Sequence, residues 1–151
     1  MSLPKTNRVS PALFLRIASV LTVLHCIGHT IGGVFSVDAP PGTKEGAVVS
    51  TMKSNQFDVM GATRSFWDFF IGFGLTISVS SLLQAVVFWQ LAGLVKTEPG
   101  RIRPMIAAFL FANIGFAILA WRYFFIPPFV GAVLTAIVLG AAYLVAIPRR
   151  D

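Results

Sequence analysis

The chain has 151 residues, of which 56% are hydrophobic and only 12% are charged, and its mean hydropathy is +0.79. A soluble domain of this size needs a larger charged surface, so the composition excludes an ordinary soluble domain and indicates a membrane protein. The net charge of +6 does not indicate nucleic-acid binding, because the basic residues stand at the borders of apolar segments rather than in one basic groove.

The first apolar segment, residues 12–35, is long enough to cross about 30 Å of hydrocarbon as a helix. Lys5, Arg8 and Arg16 precede it or lie in its first turns. A basic start of this kind is also typical of a signal peptide, but the apolar part of a signal peptide is shorter. We therefore expect a retained membrane span. Cys26, the only cysteine, stands within the segment and is expected to be a small packing residue rather than part of a disulfide or thiolate site.

The only long connection, residues 36–64, joins the first two apolar segments. Thr43 follows a Pro-Pro-Gly sequence and is a suitable helix N-cap. Val49 and Met52 come after it at roughly helical spacing, which predicts a short amphipathic helix that lies on the membrane or caps the helices. An ordinary solvated loop is the alternative.

The second apolar segment, residues 66–94, has a tryptophan near each end. Trp67 and Trp89 are about 33 Å apart at a helical rise of 1.5 Å per residue. This distance matches the separation of the two aromatic belts at the surfaces of a membrane. We therefore expect a second span that crosses the whole bilayer.

Two further apolar segments, residues 105–123 and 127–147, follow a short basic turn at 96–103. The two prolines after residue 126 cannot continue one helix but can open the next one. The four segments together predict an all-α fold in which residues 1–151 form one domain, an antiparallel four-helix membrane bundle with one long loop on its outer side.

The basic residues predict the orientation of the four spans. One side of the membrane receives Lys5, Arg8, Lys96, Arg101, Arg103, Arg149 and Arg150. The other side receives Lys44, Lys53, Arg64 and Arg122, offset by Asp38, Glu45, Asp58 and Asp68. Because cytoplasmic segments carry an excess of Lys and Arg, we expect both termini in the cytoplasm and the protein in the inner (plasma) membrane of a bacterium.

Polar side chains within the spans are costly and often functional. The second span has a stripe of polar and small residues at every fourth position: Asp68, Gly72, Thr76, Ser80 and Gln84. Such stripes, like the pair Gly28 and Gly32, also occur where helices simply pack closely together. An ion pair of Asp68 with Arg64 or Arg122 is a further structural interpretation.

The candidate site lies where polar residues concentrate in the outer halves of the spans: His25, His29, Trp67, Asp68, Asn113 and Arg122. We expect them to line a cavity that opens outward. Within it, His29 and Asp68 are the candidate catalytic pair, with His29 as general acid or base and Asp68 orienting it. The other residues are candidate ligand-binding residues.

Metal binding is a separate question, since His25 and His29 stand at i and i+4 on one helix. Cys26 follows the first histidine, so the glutamate of a zinc-protease HExxH helix is missing, and the chain has no other histidine. We therefore predict no metal site and no cofactor.

Three sequence segments carry a resemblance to a known group of proteins: GHTIGG at 28–33, SFWDFFIGFG at 65–74 and QAVVFWQ at 84–90. With these segments, which are spread over most of its length, the chain resembles a family of small, uncharacterised four-span bacterial membrane proteins. The resemblance implies the four-span layout and carries no activity.

Three functions are compatible with these observations. The first is binding of a lipid-like or apolar small molecule in the outer cavity. The second is a membrane enzyme that acts on such a ligand through His29 and Asp68. The third is an accessory subunit, in a homo-oligomer or a larger membrane complex, without a site of its own. In each of these the surrounding partners are membrane lipids rather than nucleic acid.

Overall fold

The structure, a computed structural model, describes residues 10–37 and 39–147. Its elements in chain order are helix α1 (Pro11–Gly28), which continues as a π-helix (His29–Phe35), α2 (Lys44–Ser54), strands β1 (Gln56–Val59) and β2 (Ala62–Ser65), α3 (Phe66–Leu94), α4 (Pro99–Tyr123) and α5 (Ile126–Val145). Several of the charges used to predict the orientation, namely Lys5, Arg8, Asp38, Arg149 and Arg150, lie outside the described residues.

Four helices of the described chain are long and apolar enough to cross a membrane: Pro11–Phe35, Phe66–Leu94, Pro99–Tyr123 and Ile126–Val145. They correspond to the four predicted segments, so the prediction of four helices that are able to span a membrane is confirmed. The residues divide into two compact units, each described by itself below. The loop unit comprises Leu24–Leu82, and the helical unit comprises the described residues on either side of it.

The helical unit has an apolar core built from four helices. Its members are Ala12, Leu15, Ala18, Phe88, Leu91, Ala92, Val95, Ile102, Ile106, Leu139, Ala142 and Ala146. Many of them are alanines, which allow helix backbones to approach closely. Within this unit the Ser19 hydroxyl donates a 2.7 Å hydrogen bond to the Ala85 carbonyl, and the Arg16 guanidinium lies 5.3 Å from the ring centroid of Trp89. The first part of α1 therefore packs along the last part of α3.

Helices α4 and α5 form an antiparallel hairpin in the same unit. Near the start of α4, Arg103 Nε donates to the Tyr143 carbonyl at 3.3 Å, and its guanidinium lies 4.2 Å from the centroid of the Tyr143 ring. At the opposite end, the rings of Trp121 and Phe129 lie 5.2 Å apart. The two turn residues between the helices are followed by prolines in the first turn of α5, as predicted.

The third apolar helix begins before the predicted span, within the predicted basic turn at 96–103. Helix α4 begins at Pro99 rather than at residue 105, so the predicted basic turn provides its first turns and Pro104 lies inside the helix. An internal proline has no backbone N–H, so the hydrogen bond to the Gly100 carbonyl, four residues earlier, is missing from α4. The predicted bounds of the fourth span also shift, because α5 runs from Ile126 to Val145.

In the loop unit, the end of the first span packs against the beginning of α3. Cys26 Sγ donates to the Ser78 carbonyl at 3.3 Å, and Thr30 Oγ1 lies 2.7 Å from both Ser78 Oγ and the Cys26 carbonyl. Gly74 faces Val34, where a Cβ on the glycine would lie only 2.7 Å from a Val34 methyl carbon. Cys26 is thus a packing residue, and a glycine is required at this close approach.

The sequence predicts a regular helix up to residue 35, but the first span does not remain α-helical to that point. Residues His29–Phe35 form a π-helix, in which backbone hydrogen bonds skip one additional residue. The segment contains Gly32 and Gly33, which have little preference for the α-helix. The Ser36 hydroxyl closes the segment by donating to the Ile31 carbonyl at 2.6 Å.

The long connection contains the expected helix and an unexpected β-hairpin. Thr43 is the N-cap of α2, since its hydroxyl accepts a 3.0 Å hydrogen bond from Gly46 N. The helix is only weakly amphipathic, because Val49 and Met52 are half-buried while Val48 is exposed.

Strands β1 and β2 then pair in register, with Gln56 opposite Ser65 and Val59 opposite Ala62. Both residues of the two-residue turn, Met60 and Gly61, have positive φ (51° and 84°). This conformation is required by the tightest hairpin turns.

Candidate ligand-binding site

The beginning of α3 is fixed by a reciprocal pair of side-chain hydrogen bonds. Ser65 Oγ accepts from the Asp68 backbone N–H at 3.2 Å, and Asp68 Oδ2 accepts from the Ser65 backbone N–H at 2.7 Å and from its hydroxyl at 2.9 Å. This arrangement is a capping box, which satisfies two backbone donors that a helix start leaves free. It also holds the Asp68 carboxylate in one orientation at the first turn of α3.

Aromatic side chains attach the hairpin to the same end of α3. The Phe57 ring of β1 lies 4.9 Å from the Phe66 ring and 6.2 Å from the Phe69 ring, measured between centroids. The Phe69 ring in turn stacks on Phe73 at 6.2 Å. The hairpin therefore has a defined position relative to the first turns of α3.

Helix α2 is attached to the same region through a cation–π contact. The Lys53 ammonium lies 4.4 Å from the centroid of the Trp67 ring, and that ring stacks on Phe70 at 5.4 Å. Such a contact favours a flat, face-on approach of the cation to the indole. Trp67 is thus a structural neighbour of the loop as well as a predicted ligand-binding residue.

A groove of about 290 Å³ runs along α3 from this point. It is lined by Arg64, Asp68, Phe69, Gly72, Phe73 and Thr76. The two charged residues lie at one end, and the phenylalanines and Gly72 follow along the helix. Because residues 68, 72 and 76 share one face of α3, the groove coincides with the first half of the predicted polar stripe.

Both charged side chains of the groove are exposed, and each already makes some of its possible hydrogen bonds within the protein. Arg64 Nη1 donates to the Thr63 carbonyl at 2.7 Å, and the guanidinium lies close enough to Asp68 for an electrostatic interaction. All hydrogen bonds of the Asp68 carboxylate go to Oδ2, and Oδ1 accepts none from the described residues. The remaining guanidinium N–H groups and Oδ1 are available to a ligand.

The two histidines lie in the loop unit, with half-buried side chains. Their rings stack at a centroid distance of 6.1 Å. His29 Nε2 lies 3.0 Å from the Gly74 carbonyl oxygen, which can only accept, so Nε2 carries the proton in this contact. The hydrogen bonds of His29 and Asp68 thus go to different partners, Gly74 and Ser65.

The remaining predicted site residues belong to the helical unit. Asn113 is buried, and its side-chain amide donates to the Phe109 carbonyl at 2.9 Å, one turn earlier in its own helix. The Arg122 guanidinium lies 5.5 Å from the centroid of the neighbouring Tyr123 ring. Each therefore has a local partner on α4.

Among the six predicted site residues, Asp68 lines the groove, and Trp67 is its neighbour in the sequence. The sequence places Arg64 at the same interface as the predicted site residues, but nothing in it singles out Phe69 and Phe73 as groove residues. The i, i+4 stripe that begins at Asp68 was the signal for the helix face involved, whereas the contribution of Arg64 depends on the unpredicted hairpin.

Among the residues that the structure describes, no group of three or more His, Cys, Asp or Glu side chains is arranged to hold a metal ion. Comparison of the chain with protein families, curated proteins and solved structures finds no match.

Proposed function

We propose that this multi-pass membrane protein binds a lipid-like ligand in the α3 groove. The observation that carries the proposal is the division of the groove into a charged end, formed by Arg64 and Asp68, and an apolar course past Phe69 and Phe73. Ligand sites of this type combine an apolar lining with a few placed polar groups that fix orientation.

The position of the groove on the helix supports an amphiphilic ligand. Its charged end coincides with the first turn of α3, and Asp68 to Thr76 spans about 12 Å along the helix at 1.5 Å per residue. Only 17% of the most apolar window of α3 is buried within the protein, so this helix has surface available to lipid. A molecule with a polar head and an apolar chain complements both parts of the groove.

The proposal includes the predicted placement in the membrane. The protein lies in the inner membrane of a bacterial cell, with both termini in the cytoplasm. The loop with α2 and the hairpin lies on the outer side. Trp67 at the start of α3 is then at the outer interface, where tryptophan is favoured. The charged end of the groove is consequently at the depth of the lipid headgroups of the outer leaflet.

Ligand binding has more support than the enzyme alternative. An acid–base pair requires the Asp68 carboxylate to orient the His29 imidazole. In this structure the carboxylate caps α3 and the imidazole bonds to the Gly74 carbonyl. No described contact joins the two side chains, so ligand binding in the groove is better supported than acid–base catalysis.

Filling the groove tests the proposal. A Cβ added at Gly72 meets nothing within 4 Å, so Gly72→Phe places a ring in the groove without a clash at its base. We expect lipid retained by the purified wild type, detected by native mass spectrometry, to be lost from this variant. The matched control is Gly93→Phe on the same helix, where a Cβ likewise meets nothing within 4 Å.

Retention of lipid by Gly72→Phe at the wild-type level contradicts the proposal. Equal loss from Gly93→Phe also contradicts it, because the lipid is then bound elsewhere on the helix surface. Stoichiometric isolation of the wild type with another membrane protein and no lipid supports the accessory-subunit alternative instead.

A further inference from the structure

We propose that the ligand of the α3 groove is a phospholipid whose headgroup carries both a phosphate and a primary ammonium group. This inference rests on the proposed function and specifies the ligand class. The geometry points to it because the charged end of the groove presents one cation, Arg64, and one anion, Asp68, side by side.

Arg64 is suited to the phosphate. Its guanidinium offers five N–H donors in a planar fork, of which Nη1 is directed to the Thr63 carbonyl. Arg64 lines the groove, and the geometry of its remaining donors matches phosphate oxygens. The position of Arg64 at the end of β2, paired opposite Phe57, is fixed by the hairpin and its aromatic contacts with α3.

Asp68 is suited to the ammonium. The capping box holds Oδ2 through both the backbone N–H and the hydroxyl of Ser65, which leaves Oδ1 as an oriented acceptor. A carboxylate accepts several hydrogen bonds, and a primary ammonium donates three. A trimethylammonium group has no N–H donor and cannot form this bond.

The balance of charge separates the zwitterionic class from anionic phospholipids. A headgroup that carries only the phosphate charge pairs with Arg64 but places a second anion beside Asp68, which is unfavourable. A headgroup with phosphate and ammonium pairs with both groups, and the complex leaves no charge unmatched. Charge complementarity of this kind gives selectivity more than affinity.

The apolar course of the groove distinguishes a lipid from a soluble phosphate-containing amine. Phe69, Gly72 and Phe73 continue from the charged end along a helix that is apolar enough to cross a membrane. Phe73 is 67% exposed, so its ring offers surface to an acyl chain. A soluble headgroup alone leaves this surface uncovered.

The experiment compares three phospholipids with identical acyl chains and different headgroups: phosphatidylethanolamine, phosphatidylcholine and phosphatidylglycerol. Each competes for the full-length protein in detergent, and native mass spectrometry reports the bound fractions. For the wild type we expect phosphatidylethanolamine to be preferred over the other two by roughly three- to tenfold, a modest ratio because both charged groups are exposed and screened.

Two variants assign the preference to the two side chains. Asp68→Asn is expected to remove the preference for phosphatidylethanolamine over phosphatidylcholine while phospholipid binding persists. Arg64→Gln is expected to weaken binding of all three lipids by roughly three- to tenfold. The matched control is Asp58→Asn, a carboxylate on the hairpin that accepts from the Thr63 hydroxyl and does not line the groove.

A third variant separates the charge of Asp68 from its capping role. Ser65→Ala removes the capping hydroxyl but keeps the Asp68 carboxylate, so the preference for phosphatidylethanolamine should survive. The assignment to the carboxylate is overturned if Ser65→Ala loses the preference for phosphatidylethanolamine while Asp68→Asn keeps the wild-type preference.

The two proposals fail in different ways. Equal binding of the three lipids, or a preference for phosphatidylglycerol, overturns the headgroup assignment while lipid loss in Gly72→Phe still supports the groove. Undiminished lipid binding in Gly72→Phe overturns the groove itself, whichever headgroup is preferred.

Discussion

At the scale of single residues, Ser65 and Asp68 do two things at once. Their reciprocal hydrogen bonds define where α3 begins, and they orient a carboxylate toward a groove on the same helix. Ser65 is buried, with 4% of its surface exposed, whereas Asp68 is exposed. The buried partner therefore has the structural role, and the exposed partner is the one that a ligand can reach.

Removing the cap should lower stability without removing the site. Ser65→Ala deletes a hydroxyl that accepts from the Asp68 N–H, and loss of an N-cap side chain costs about 1 kcal/mol of folding free energy. We expect a lower thermal midpoint in detergent, measured by circular dichroism, with lipid retention at the wild-type level. Thr97→Ala is the control, because the Thr97 hydroxyl donates only to the Leu94 carbonyl in an exposed turn. An unchanged midpoint in Ser65→Ala would contradict the capping role.

The cap at the start of α3 could be partly predicted from the sequence. A serine three residues before an acidic residue, at the start of an apolar helix, is a capping pattern. The same Asp68 was interpreted as the partner of His29 because both are polar residues at similar depth. Their actual partners could not be deduced, since the His29 contact with Gly74 joins residues 45 positions apart and depends on how the two helices pack.

At the scale of elements, close contact between helices in the loop unit depends on one glycine. Gly74 lies against Val34 of the π-helix, which is 2% exposed. An added Cβ would be 2.7 Å from a valine methyl carbon, so either the valine or the helix must move. The valine is branched at Cβ and has few alternative rotamers within a helix.

This contact predicts that the effect of a substitution at Gly74 depends on the residue at position 34. Gly74→Ala is expected to destabilise the protein by about 1–3 kcal/mol, which is typical of overpacking. In a Val34→Ala background the same substitution should cost less, because the methyl groups that it meets are gone. Chemical denaturation in detergent of the two single variants and the double variant gives the coupling.

The control for this pair lies two residues away on α3. Gly72→Ala adds a methyl group where nothing lies within 4 Å and should be close to neutral or slightly stabilising. Equal effects of Gly74→Ala in the presence and absence of Val34 would contradict direct packing between the two residues.

The elements differed in how far the sequence could predict them. The helix after Thr43 follows from a local cap and was predicted. The hairpin was missed because Met60 adopts positive φ in its turn, a conformation for which Asn, Asp or Gly is the usual signal. The start of α4 differs from the prediction because the basic residues at 96–103 indicated a turn, whereas Pro99 opens the helix and Pro104 is accommodated within it.

At the scale of the whole molecule, hydropathy was sufficient to predict four spans, because each must bury about 20 residues in hydrocarbon whatever its packing partners. Sidedness follows from a different quantity, the distribution of Lys and Arg among the connecting segments. Two described turns on either side of α3 make that distribution testable. The hairpin turn holds Met60, which is fully exposed, and the turn before α4 holds the exposed residue Thr97.

Single cysteines at these turns should report opposite sides of the membrane. In a Cys26→Ser background, a membrane-impermeant maleimide added to intact cells is expected to label Met60→Cys. Thr97→Cys should be labelled only after the membrane is opened, because the basic residues Lys96, Arg101 and Arg103 predict that this turn faces the cytoplasm. Total reactivity after detergent treatment controls for expression and for the accessibility of each thiol. Labelling of Thr97→Cys alone in intact cells would reverse the orientation and move the charged end of the groove to the inner leaflet, while the charge pairing of Arg64 and Asp68 with a zwitterionic headgroup would remain.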